Sequence, residues 1–148
     1  MFAGAAAFNQ DLSSWNVGEV TQMSGMFQQA VAFTSDLSGW NVKNVECMWA
    51  MFAGATSFNS DISIWDVTSV TNMKCMFDEA SSFNCGNGDL SRWDTRFLLN
   101  MMDMFRDATS FSKATIKNWN LPNLEHVMQY NTIETRIASL FDSKSDDD

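Results

Sequence analysis

From Val70 onward the apolar residues of the chain fall at Met73, Met76, Phe77 and Ala80. These are positions i, i+3, i+6, i+7 and i+10, the spacing of one face of a short helix. Just upstream, the stretch from Ser60 to Trp65 alternates, with Ile62 on one side and Asp61 and Ser63 on the other. That alternation predicts a short strand. The succession recurs along the chain. A Met-Phe pair stands at Met1/Phe2, Met26/Phe27, Met51/Phe52, Met76/Phe77 and Met104/Phe105, at intervals of 25, 25, 25 and 28 residues. An alanine follows each pair (Ala5, Ala30, Ala55, Ala80, Ala108), then a phenylalanine (Phe8, Phe33, Phe58, Phe83, Phe111) and a tryptophan (Trp15, Trp40, Trp65, Trp93, Trp119). Two aliphatic columns close each unit, beginning at Val17 and Val20.

A fixed period of about 20 to 29 residues is the mark of a solenoid, in which each unit buries its apolar edge against the next. The pattern therefore predicts an α/β repeat solenoid, with short parallel strands along one side and short helices along the other. Five repeats are expected over residues 1–126, starting at 1, 26, 51, 76 and 104. The fourth unit carries three extra residues, so Cys85, Gly86, Asn87 and Gly88 are expected to bulge as a loop. In the fifth unit Thr115, Lys117 and Pro122 break the columns, and Val127 and Tyr130 replace the two methionines that follow. This divergence predicts a cap helix over 127–142, followed by an acidic tail over 143–148. Met1 and Phe2 already occupy columns whose partners would lie in a preceding unit, so a longer array or a covering partner is expected there.

Composition narrows the function. At 148 residues and 45% hydrophobic the chain is long enough for one real core. No run approaches the roughly 18 apolar residues of a membrane-spanning helix. The net charge of −9, with nine basic residues scattered singly, speaks against a nucleic-acid partner.

The consensus M-F-x-x-A-x-x-F-N-x-D-[IL]-S-x-W-[ND]-V-x-x-V-T-x-M, read in five registers over about residues 1–128, resembles the BspA-type leucine-rich repeat family, which includes mycoplasma-type surface lipoprotein repeats. The resemblance implies a right-handed, leucine-rich-repeat-like coil in a cell-surface or extracellular protein, often an adhesion or interaction module. It implies no catalytic residues. An organellar complex is the alternative setting.

Candidate chemistry lies on one polar row, Asp11, Asp36, Asp61 and Asp89, beside Ser13, Ser38, Ser63 and Ser91. Carboxylates about 4.8 Å apart in stacked units repel by about 0.9 kcal/mol even in bulk water. Such a row needs hydration, cations or hydrogen bonds from backbone N–H groups. Backbone bonding is the leading expectation, because Asp and Ser commonly tie turns. Calcium is the lesser one, since the dense carboxylate-and-carbonyl loop of a dedicated site is missing. The third is a binding face for a basic partner. A second row, Asn16, Asn41, Asp66, Asp94 and Asn120, is expected to satisfy backbone groups.

The Trp and Phe columns are expected to be core. Catalysis finds only His126 beside Glu125, with no nucleophile in a recognisable arrangement. No metal or cofactor set is expected: Cys47, Cys75 and Cys85 fall in different columns and lack histidines to complete a zinc site. Cys47 and Cys75 could face each other on neighbouring helices, which leaves a disulfide between them open. The expectation is a non-enzymatic protein-binding or scaffold solenoid, the alternative an accessory subunit of a larger complex.

Overall fold

The computed structural model describes residues 1–123. His126, the cap helix and the acidic tail lie outside the described residues.

The α/β architecture expected from the periodicity does not form. Among the described residues the only helical segments are two three-residue 3-10 turns, Leu90–Arg92 and Lys113–Thr115. In place of a parallel sheet there is one line of isolated parallel bridges, Gln22 to Cys47, Cys47 to Asn72 and Asn72 to Asn100.

The stretch read as a helix shows why. Met76 N–H donates to Met73 O (3.1 Å), Asp78 N–H to Cys75 O (3.1 Å) and Ala80 N–H to Phe77 O (3.0 Å). These are chained three-residue turns. The N–H groups in between leave the unit altogether. Those of Met73, Cys75, Phe77 and Glu79 donate to the carbonyls of Asn100, Met102, Met104 and Arg106 at 2.7, 2.9, 2.8 and 2.7 Å. Cys75 and Glu79 have φ of +57° and +58°. An α-helix needs every residue in the right-handed region, so two left-handed residues four apart exclude it. The same pair recurs at Gly25/Gln29, Ala50/Gly54 and Asp103/Asp107. The apolar spacing nevertheless delivers Met73, Met76, Phe77 and Ala80 to the interior, each 1% exposed or less.

The expected strand is also a pair of turns. Asp61 Oδ1 accepts from Ser63 N–H at 3.0 Å, and Trp65 N–H donates to Ile62 O at 3.1 Å. An Asp two residues ahead of the N–H it binds closes a turn of its own. The chain thus bends within three residues, where a strand would run straight.

Successive units stack, joined by the ladder just described, around a core of two phenylalanine rows. Within a unit the rings lie face to face: Phe27 on Phe33 at 4.1 Å, Phe52 on Phe58 and Phe77 on Phe83 at 3.9 Å. Between units Phe27, Phe52 and Phe77 follow one another at 5.6 Å. The tryptophans lock neighbours together. Trp40, Trp65, Trp93 and Trp119 donate their indole N–H to the carbonyls of Leu12, Leu37, Ile62 and Leu90 of the unit before, at 2.8–3.0 Å. Buried indole N–H groups need such an acceptor.

The inserted residues of the fourth unit form a turn, with Asn87 exposed on it. Cys85 is buried, and Gly88 N–H closes onto Cys85 O at 2.8 Å. All three cysteines are free, so Cys47 and Cys75 form no disulfide. Cys47 Sγ instead lies 3.1 Å from Ser24 Oγ.

Candidate functional site

Each aspartate of the polar row performs the same local task. The Oδ1 atoms of Asp11, Asp36, Asp61 and Asp89 accept from the N–H groups of Ser13, Ser38, Ser63 and Ser91 at 2.9, 2.9, 3.0 and 2.7 Å. In the second row, Asn16, Asn41, Asp66 and Asp94 hold Gly18, Lys43, Thr68 and Arg96 N–H in the same way at 3.1–3.3 Å. Two such turns per unit carry the chain around this side of the stack.

Three carboxyls of the row, Asp11, Asp36 and Asp61, are held below the usual carboxylate range. Hydrogen bonds from Ser13 hold the Asp11 carboxyl below its usual range, and burial and the neighbouring Asp36 only partly oppose them. Bonds from Ser38 do the same for Asp36, helped by Ser60, and bonds from Ser63 for Asp61. At these three carboxyls hydrogen bonds to the charged form therefore outweigh what opposes them.

Between the second, third and fourth units the row opens into a groove of about 480 Å³. Asp36 and Asp61 stand in it with the hydroxyls of Thr34, Ser38 and Ser60 and the amides of Asn59 and Asn87. Ile64, 67% exposed, adds an aliphatic surface, and Gly86 of the insertion closes one side. The insertion sits hard against Asp61: a Cβ at Gly88 would come within 2.1 Å of Asp61 Oδ1. Ser60 Oγ bridges neighbouring units, donating to Asp36 Oδ1 at 3.2 Å and accepting from Leu37 N–H at 3.1 Å.

Asn59 is a site residue the sequence analysis missed. Its Oδ1 accepts from Asn84 N–H at 2.8 Å and Gly86 N–H at 2.9 Å, which anchors the insertion. Asn9 and Asn84 likewise bind Thr34 N–H and Ser112 N–H of the following units at 2.9 and 3.1 Å. The signal was the Phe-Asn dipeptide at Phe8-Asn9, Phe58-Asn59 and Phe83-Asn84.

Burial pushes the Cys85 thiol up to about 11 and the Cys75 thiol above its ordinary value, so both stay protonated at neutral pH. Among the described residues no group of three or more His, Cys, Asp or Glu is placed to hold a metal ion. No helix among them is long and apolar enough to cross a membrane. The Phe and Trp columns form the core wall rather than a site; of the five column tryptophans Trp15 is the exposed one, and Trp49, outside the column, is exposed as well.

Among the described residues the units repeat in tandem, the Asp and Asn rows tie turns, and an acidic groove lies open at Asp36 and Asp61. The chain belongs to the family described as Mycoplasma protein of unknown function, DUF285. The family model matches residues 1–86 and again 40–139, an overlap that a tandem repeat permits. No curated protein matches the chain.

Proposed function

We propose that the chain is a non-enzymatic protein-binding module that takes a basic segment of a partner protein into the groove between Asp36 and Asp61. Kinship with BspA-type surface repeats, carried by the consensus, is part of the same proposal and points to adhesion or scaffolding at the cell surface. The single observation that supports the reading most is the division of labour at the two carboxylates. Oδ1 of each is bound within the protein, at Ser38 and Ser60 or at Ser63, and the groove lies open beside both. A lysine or arginine head group meets fixed anions there, while its aliphatic stem covers Ile64.

The reading is tested with an eight-residue oligolysine peptide, titrated calorimetrically at about 50 and 150 mM salt. The Asp36→Asn/Asp61→Asn double variant should bind at least tenfold more weakly than the parent. Asp11→Asn, which lies away from the groove, should bind within about twofold. Equal loss in both variants would reduce the attraction to net charge and sink the groove.

A further inference from the structure

We propose that Asn87 is a modification site, where the side-chain amide is lost without an enzyme and a third carboxylate enters the groove beside Asp36 and Asp61. Asn87 and Gly88 are the one Asn-Gly pair in the chain. In such a pair the backbone nitrogen of the second residue can attack the side-chain carbon of the first. The reaction needs a reachable amide and an unhindered nitrogen. Asn87 is exposed on its turn and lines the groove. Among the described residues no hydrogen bond holds its side chain. The fold itself imposes glycine at the next position. A Cβ on residue 88 would come within 2.1 Å of Asp61 Oδ1 and 2.6 Å of Ser63 Oγ, so no side chain stands there to hinder the approach to Gly88 N.

Asn59 is the comparison within the molecule. It lines the same groove and also precedes a small residue, Ser60. Its Oδ1, however, accepts from Asn84 N–H and Gly86 N–H at 2.8 and 2.9 Å, and turning the amide towards Ser60 N costs both bonds. One restraint remains at Asn87. Gly88 N–H donates to Cys85 O at 2.8 Å, and that bond must open before the nitrogen can react. It closes a surface turn, the kind of bond that opens locally without global unfolding.

Once the bond is open, a solvent base takes the Gly88 N–H proton and the nitrogen bonds to Asn87 Cγ. The Cγ–Nδ2 bond breaks, and Nδ2 leaves as ammonia with a proton from water. A second water then opens the cyclic imide. Cleavage between Gly88 N and Cγ gives aspartate. Cleavage between Gly88 N and the main-chain carbonyl carbon gives isoaspartate, with the chain running through Cγ. Either way the sum is amide plus water to carboxylate plus ammonium, with no oxidant or reductant. The groove gains one negative charge. An added exposed ion pair with a basic segment is worth about twofold to fivefold in affinity. That consequence rests on the proposed function; the reaction does not.

The full native chain is incubated at mildly acidic and at mildly alkaline pH, with an unincubated sample as baseline. The peptides that contain Asn87 and Asn59 are then sequenced by mass spectrometry. Asn87 should convert at least tenfold faster than Asn59, faster at the higher pH, and to both products. Asn87→Gln, whose longer side chain does not close the same ring, should not convert. The proposal is overturned if Asn87 keeps its amide in the native chain while the chain in urea loses it, or if Asn59 converts as fast. Fresh and converted protein are also titrated with the eight-residue oligolysine peptide. A gain of about twofold to fivefold is expected on conversion. Conversion without a gain overturns the effect on the groove. If neither form binds, it is the basic-partner reading that fails, and the modification is decided by the mass spectrum alone.

Discussion

Each internal tryptophan fills the core and also ties its unit to the one before, and these two roles separate on substitution. Trp65→Phe keeps an aromatic ring but removes the bond to Leu37 O, which still accepts from Trp40 N–H at 3.1 Å. The lost bond costs about 0.5–1.5 kcal/mol, and the vacated volume adds to it. Urea denaturation should show a loss of at least about 1 kcal/mol with the slope unchanged. Trp15→Phe breaks no such bond and should stay within about 0.5 kcal/mol of the parent. The aspartates give the second residue-scale prediction. Asp11, Asp36 and Asp61 bind their protons less tightly folded than at the ordinary value of 3.8. Their contribution to stability is therefore complete above pH about 4 and is lost as pH falls through the depressed folded values. The denaturation midpoint should drop on acidification below pH 4. In an Asp36→Asn/Asp61→Asn variant, which keeps an acceptor oxygen but cannot titrate there, that drop should be shallower.

At the scale of the element, the buried columns were legible and the backbone that carries them was not. Apolar residues at i, i+3, i+6, i+7 and i+10 suit a short helix, but a run of three-residue turns places the same residues inside. The deciding feature is the sign of φ at two positions per unit. Gly25 and Gly54 hinted at it, while Cys75, Glu79, Asp103 and Asp107 in the same columns concealed it. Side chains that tie turns were foreseen at the Asp and Asn rows, because an Asp or Asn two residues ahead of an N–H is a local signal. The Asn59 anchor was not foreseen, since its partners Asn84 and Gly86 lie 25 and 27 residues away. The turn run makes its own prediction. Gly54 has φ of +70°, a region that costs an L-residue about 1–2 kcal/mol. Gly54→Ala should lose about that much in urea denaturation. Gly39 has open space at its Cβ position and no left-handed φ, so Gly39→Ala should be neutral or stabilising by up to about 1 kcal/mol. Equal effects at the two sites would mean that the turns tolerate either hand.

Across the described residues, the ring stacks and indole bonds named above join neighbouring units, so stability should depend on how many neighbours a residue has. Phe52 is fully buried, stacked on Phe58 within its unit and on Phe27 and Phe77 on either side, with Trp65 tilted against it. Phe2 has the same partners within its unit, Phe8 and Trp15, but a ring on one side only, Phe27. Long-range ties follow the same rule: Arg106 reaches back one unit to pair with Asp78 through two nitrogens. Phe52→Ala opens a cavity between three units and should cost about 3–5 kcal/mol. Phe2→Ala removes a ring that water already reaches and should cost less than half of that. Chemical denaturation of both variants under one set of conditions measures the ratio directly. A ratio near one would mean that burial within a unit, rather than stacking between units, holds the molecule together. The indole bonds and the alternate N–H ladder would then be consequences of the fold and not its cause. A ratio of two or more places the stability in the contacts between units, where the backbone hydrogen bonds that span 24 to 29 residues already run.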